Sequence, residues 1–193
     1  MSTTALIDYF QSYIPLSDEE ISELQSRVIM RTIKRRQFIL NAGDVCKHYN
    51  FIIDGCFKMY KVDAAAKEHN LHFAIENQWI TDLGSFHSEQ PSQLYIEAIE
   101  PSTIIQIAKP DLLYFYETSI RFNRIFRVMV ENEMVLLQNR LLQTISTTAE
   151  QRYQQFIELY HNLFNRISNV QIASYLGITP EFLSNIRKKL SQS

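Results

Sequence analysis

The chain has little of what cross-links or punctuates a protein: two cysteines, four glycines and five prolines in 193 residues. Cys46 and Cys56 alone cannot build a disulfide framework, a four-thiolate iron–sulfur cluster or a four-ligand metal site. No metal is therefore expected, and the two thiols read as buried, with a redox pair as the alternative. No window reaches the roughly eighteen consecutive apolar residues of a membrane-spanning helix. The N-terminal stretch through Tyr9 lacks the charged region and long apolar run of a secretory signal. Nor is one charge in excess: the net charge is −2 and the pI about 6.2, without the basic signature of a chain that binds nucleic acid or anionic membrane over its whole surface. These absences point to a cytoplasmic protein with no membrane partner.

What is present is a globular composition. With 46% hydrophobic, 12% aromatic and 21% charged residues the chain can fill a core, and its length admits one ordinary domain and a small second one. Charge is unevenly placed. Residues 1–147 carry 14 Lys and Arg against 18 Asp and Glu, whereas residues 148–193 carry five against three. Arg187, Lys188 and Lys189 make the tail the basic end.

Ser17 and Glu20 form a capping box, so a short helix is expected to follow, with Ile21, Leu24 and Val28 at helical spacing. From about residue 33 to 108 the pattern changes to β-branched and aromatic runs separated by turn signals: 37–40, 49–53, 56–62, 71–75, 94–99 and 103–108. Asp54 and Gly55 between the second and third runs predict a two-residue hairpin that pairs them. Asn41 to Asp44 is another turn. Six or more closely spaced strands favour a small antiparallel sandwich or barrel.

Pro110 marks a helix start, and a long helical stretch is expected over about 118–145. Val128, Val135 and Leu142 are seven apart, as are Ile125, Asn132 and Asn139, which suggests a homodimeric coiled coil whose Asn residues fix register. The alternative is a helix that packs only on its own barrel. A further helix is expected over 149–163, with Tyr153, Phe156, Ile157 and Tyr160 on one side. The boundaries this implies are 1–117 for a sensor domain, 118–147 for the connecting helix and 148–193 for the C-terminal module.

The most informative segment is 168–190. Ser168 and Gln171 make a second capping box, and Ile172, Ala173 and Leu176 face inward. Gly177 ends that helix, and Thr179, Pro180 and Glu181 open the next as N-cap, first-turn proline and first-turn acid. Phe182, Leu183, Ile186 and Leu190 are its expected buried side. Two short helices joined by a tight glycine turn are what a helix-turn-helix needs. Its second helix offers Thr179, Glu181, Ser184, Asn185, Arg187 and Lys188 to a major groove, where Asn suits adenine edges, Arg guanine or phosphate, and Lys phosphate. The competing reading is a helical hairpin with a solvated basic face.

A β-rich N-terminal region, a long helix and this C-terminal unit together resemble the Crp/Fnr family of bacterial transcription regulators, over nearly the whole chain. The resemblance implies an α+β fold with an antiparallel β-roll of the cyclic-nucleotide-binding kind, a dimerisation helix and a helix-turn-helix. It also implies double-stranded DNA, a second copy of the chain and RNA polymerase as partners, with Ser168, Gln171 and Pro180 added to the DNA contacts. The family is winged, but only Ser191, Gln192 and Ser193 follow the second helix, so a truncated wing is expected.

Residues 79–86 are similar to the opening of the family's phosphate-binding cassette, in which a Gly-Glu pair precedes Leu-Gly. Here Thr81 and Asp82 precede Leu83 and Gly84. Cyclic-nucleotide binders place an Arg-Ser pair further on, where this chain has Ser92 and Gln93. Without that guanidinium the cyclic phosphate loses its bidentate charged partner. These six positions are thus expected to outline an effector pocket that does not take cyclic AMP and is empty, vestigial or filled by another small molecule. His48, His69, His72, His87 and His161 could serve a haem but read as structural. His69 and His72 lack the companions of a metal cupin, and no phosphate loop, zinc-protease motif or nucleophile elbow is present, so no enzyme is expected. A true cyclic-nucleotide-dependent regulator and a sensor acting through protein contacts remain as alternatives.

Overall fold

The computed structural model describes residues 3–191. Gln192 and Ser193, on which the expected truncated wing partly falls, lie outside the described residues. Two helices open the chain, α1 (Thr4–Gln11) and α2 (Asp18–Arg27). The first has no counterpart among the sequence expectations. It buries Leu6 and Phe10 completely, one helical turn apart, in the core. The Ser17/Glu20 capping box forms at α2, but Val28 belongs to the next strand, not to the helix.

Eight strands follow in two antiparallel four-stranded sheets. One contains β1 (Val28–Ile33), β3 (His48–Asp54), β6 (Trp79–Ile80) and β8 (Ser102–Ala108), in the order β1-β8-β3-β6. The other contains β2 (Phe38–Leu40), β4 (Phe57–Val62), β5 (Glu68–Ala74) and β7 (Tyr95–Ala98), in the order β2-β7-β4-β5. A six-residue helix, α3 (Leu83–Ser88), joins β6 to the segment before β7.

The expected Asp54-Gly55 hairpin is not formed. β3 pairs with β8 and β6, whereas β4 pairs with β5 and β7, so the chain crosses between sheets at this corner. Gly55 does adopt the positive φ that the sequence signal requires, +107°, but it serves the corner. Its N–H donates to Glu76 Oε1 (2.8 Å), and a Cβ there would run into Ser102. Between the sheets lie Phe51, Phe57 and Phe86, and Phe10, Phe115, Phe122 and Phe126 extend the same core, each about 1% exposed or less. Burying each ring contributes about 1.5–3 kcal/mol.

The helical half begins with α4 (Lys109–Thr118) and α5 (Ile120–Ser146). The long helix starts two residues later than expected because Ser119 caps it, its side chain accepting from the Phe122 N–H (3.3 Å). Glu20 of the α2 capping box accepts from Ser119 Oγ and Arg121 Nη1 (2.8 Å each), which ties the start of α5 to the N-terminal helices. After α6 (Ala149–Leu159) come a turn-rich stretch, α7 (Asn169–Leu176) and α8 (Pro180–Leu190). The helix expected to reach Leu163 stops at Leu159, and Leu163 and Ile167 are buried from the following turns.

Candidate nucleic-acid interface and effector cavity

The C-terminal unit is built by local rules. The Gln171 N–H donates to Ser168 Oγ (3.3 Å), and the Ser168 N–H donates to Gln171 Oε1 (2.8 Å). Gly177 closes α7 in the left-handed region, φ +69°. Thr179 caps α8, accepting from the Phe182 N–H, with Pro180 in the first turn. Ile172, Ala173, Leu176, Leu183 and Ile186 form the inner side with Tyr153, Phe156 and Tyr160 of the preceding segment.

α8 carries two faces. Leu183 and Ile186 are buried; Glu181, Ser184, Asn185 and Lys188 are exposed, as is Thr179 at the cap. Ser168 is exposed at the cap of α7, and Gln171 and Pro180 are half-buried. Phe182, expected inside, is 49% exposed: it sits one position off the Leu183, Ile186, Leu190 row and turns toward the polar face. Arg187 is half-buried and engaged, its guanidinium donating to Asn169 Oδ1 and lying 4.6 Å from the Phe164 ring centroid. Lys189 pairs with Glu150 (2.9 Å).

This unit is docked on the β-sheets. Arg166, between α6 and α7, donates to both Glu76 oxygens (2.7 and 2.9 Å) and to Glu100 Oε1. The Arg166 guanidinium holds the Glu76 carboxyl down at about 2. Ser174 of α7 donates to the Glu68 carbonyl (2.7 Å) and accepts from the Asn70 N–H (3.0 Å). Arg140 of α5 donates to the Leu71 and Tyr175 carbonyls and lies 3.9 Å from the Tyr175 ring centroid. The start of α8, with Thr179, Pro180 and Glu181, shares a groove with Lys67, Glu68 and Asn70.

The long helix presents its apolar residues outward. Met134, Val135, Leu137, Leu141, Leu142 and Ile145 are between 53% and 75% exposed. Val128 is half-buried and Asn132 and Asn139 are exposed. Ile125 is fully buried in the chain's own core and is not available to a second copy, whereas Asn132 and Asn139 are. The outward row with coiled-coil spacing is instead Val130, Met134, Leu137 and Leu141, at steps of four, three and four.

Between α1, the β-sheets and α5 lies a cavity of about 310 Å³. Thr81, Asp82, Leu83 and Gly84 line it, whereas Ser92 and Gln93 do not. Ser92 is 5% exposed and its hydroxyl donates to Asp82 Oδ2 (2.6 Å); Gln93 is exposed and accepts from Lys61 Nζ (2.7 Å). Asp82 also caps α3, accepting from the Ser85 N–H (3.2 Å), and Thr81 Oγ1 accepts from the Asn50 N–H (3.3 Å). Sequence reasoning missed the other walls: Tyr9 and Tyr13 from the N-terminus, Tyr49, His72, Trp79 and Glu133. The Leu6/Phe10 spacing could have revealed α1, but nothing local joins it to Glu133. Cys46 and Cys56 are free and buried, and burial pushes the Cys56 thiol up to about 12.

Residues 30–119 match the family of the cyclic nucleotide-binding domain. The chain thus combines a cyclic-nucleotide-binding-type β domain, a long helix and a C-terminal helical unit. FixK2 from Bradyrhizobium japonicum is 16% identical, with a TM-score of 0.75 over 86% of this chain and 85% of that one. A regulator from Eubacterium rectale assigned to the crp/fnr family is 15% identical, with a TM-score of 0.72 over 95% and 88%. The c-di-GMP responsive regulator CLP from Xanthomonas campestris is 14% identical, with a TM-score of 0.70 over 91% and 92%. At these identities the likeness establishes the fold, which this chain shares with these three proteins. No curated protein matches the sequence. No helix among the described residues is long and apolar enough to cross a membrane.

Proposed function

We propose that the chain is a cytoplasmic, homodimeric, sequence-specific DNA-binding transcription regulator without enzymatic activity. Residues 1–117 are the sensor, 118–147 the connecting helix and 148–193 the DNA-reading module. The observation that carries this reading is α8, whose row of Thr179, Glu181, Ser184, Asn185 and Lys188 is solvent-exposed while Leu183 and Ile186 anchor it from behind. Asn185 suits an adenine edge, Lys188 a phosphate, and exposed Phe182 a thymine methyl. Ser168 and Gln171 at the start of α7 suit backbone contacts. Two copies joined along Val130, Met134, Leu137 and Leu141, flanked by Val128, Val135 and Leu142, would present two α8 helices to a two-fold site. Because the start of α8 shares a groove with β5, reading bases with that end requires the module to move off the sheet. An effector that shifts this balance would change DNA affinity, and RNA polymerase is the partner of a bound activator.

The sensor is proposed not to take cyclic AMP, since no Lys or Arg lines the cavity beside Thr81 and Asp82. The test is selection of genomic DNA fragments by the purified chain near physiological salt, with and without cyclic AMP. An enriched two-fold motif indifferent to the nucleotide is expected. Enrichment only with cyclic AMP would overturn the effector reading, and none under either condition would overturn DNA binding as proposed.

A further inference from the structure

The cavity between α1, the sheets and α5 has an unusual chemistry for a nucleotide site. Its lining includes four aromatic side chains, Tyr9, Tyr13, Tyr49 and Trp79, and two carboxylates, Asp82 and Glu133, with no Lys or Arg. The aromatic wall is continuous. Trp79 lies 6.2 Å from Tyr9 and 5.8 Å from Tyr49 between centroids, and the Tyr9 and Tyr13 rings are 5.4 Å apart with their hydroxyls hydrogen-bonded.

The polar groups facing this wall are unequally satisfied. Asp82 is spent on the Ser85 N–H and the Ser92 hydroxyl. Glu133 has no hydrogen-bond or ion-pair partner among the described residues, and although the residue is solvent-exposed, the partial desolvation of its carboxyl pushes the pKa up. Tyr49 is 4% exposed, and its hydroxyl has no partner. His72 adds no positive charge at neutral pH, because burial pushes its pKa down to about 4.

An anionic ligand would meet two carboxylates and no cation here. A purely apolar one would leave the buried Tyr49 hydroxyl unanswered. A positive charge, by contrast, is attracted to Tyr and Trp ring faces and finds its counter-charge in Glu133. We propose that this cavity binds an organic ammonium ion with an apolar or aromatic body, its charge held between the Tyr9, Tyr49 and Trp79 rings and the Glu133 carboxylate. The proposal deepens the reading of this cavity as an effector site, and its volume is at the small end of ligand pockets.

Trp79 is the chain's single tryptophan and lines the cavity, so its fluorescence reports occupancy without DNA. The full-length chain is titrated with phenethylammonium, with 2-phenylethanol, which replaces the ammonium by a hydroxyl, with phenylacetate and with cyclic AMP, and each titration is repeated by calorimetry. Saturable binding of phenethylammonium, tighter than that of the alcohol and far tighter than that of either anion, is expected. Glu133→Gln, a change at an exposed position, should weaken the ammonium by about tenfold and leave the alcohol unchanged. Equal affinity for ammonium and alcohol, preference for either anion, or no saturable response to the ammonium each overturns the proposal. Because no DNA enters the measurement, its failure leaves the DNA-binding reading intact, and failure of fragment selection leaves this one intact.

Discussion

Arg166 is the strongest electrostatic tie between the C-terminal unit and the β-sheets, and the cost of removing it can be worked from the geometry. Its guanidinium grips Glu76 through two hydrogen bonds and also reaches Glu100, with side-chain exposures of 21%, 33% and 32% respectively. The fall of the Glu76 pKa from 4.5 to about 2 corresponds to about 3 kcal/mol before solvent is considered. Water reaches about a third of that carboxylate, so screening reduces the interaction to about 1–2 kcal/mol. The sign follows from the depressed pKa: the contribution is present above the unfolded value near 4.5 and is lost as pH falls through about 2. Urea unfolding of the wild type, Arg166→Ala, Glu76→Gln and the double variant at pH 7 should give a coupling energy of about 1–2 kcal/mol. Between pH 5 and pH 3 (on the order of the window set by the two pKa values) the wild type should lose more stability than Arg166→Ala. A coupling near zero, or parallel pH profiles, would refute the reasoning.

Four further outcomes follow from the structure. Gly55→Ala places a methyl group against Ser102 at a φ of +107° and should cost about 2–4 kcal/mol, read as a lowered urea midpoint; an unchanged midpoint would show that the corner relaxes freely. Leu141→Glu puts a charge into the proposed seam and should convert dimer to monomer in sedimentation without changing circular dichroism, whereas a persistent dimer would place the interface elsewhere. Lys188→Ala should weaken DNA binding evenly across sequences and reduce the salt slope by about one. If Arg187 leaves Asn169 and the Phe164 ring to read a base, Arg187→Ala should cost on the order of 1–3 kcal/mol at the selected site alone, and unchanged binding there would show that it stays with them.

The parts of the fold that the sequence made legible are those written in neighbouring residues. The capping boxes at Ser17 and Ser168 formed as read, because each is a three-residue relation between a hydroxyl and a side-chain oxygen. The same signal at Thr148 and Gln151 marks the start of α6. Asp54-Gly55 shows where local reading stops. The turn signal correctly placed a positive φ at Gly55, but the partner of β3 is chosen by long-range packing, and β8 and β6 already occupy its two edges. Ile125 shows a related limit: periodicity registers that a position is apolar, not that its own core buries it. The aromatic cavity was invisible because Tyr9, Tyr49, Trp79 and Glu133 come from four separate elements.

The seat of α7 on β5 bears on how a sheet edge is covered. β5 is the outer strand of its sheet, and Ser174 answers the Glu68 carbonyl and the Asn70 N–H in the way that a neighbouring strand would. Only two backbone groups are covered by this side chain, but they lie on the exposed border of a sheet, where an uncovered ladder invites another chain to add itself. A chain cut after α5 would lose the Ser174 contacts and keep the Arg140 bond to the Leu71 carbonyl. The helix that opens the C-terminal unit therefore also covers part of the outer edge of that sheet.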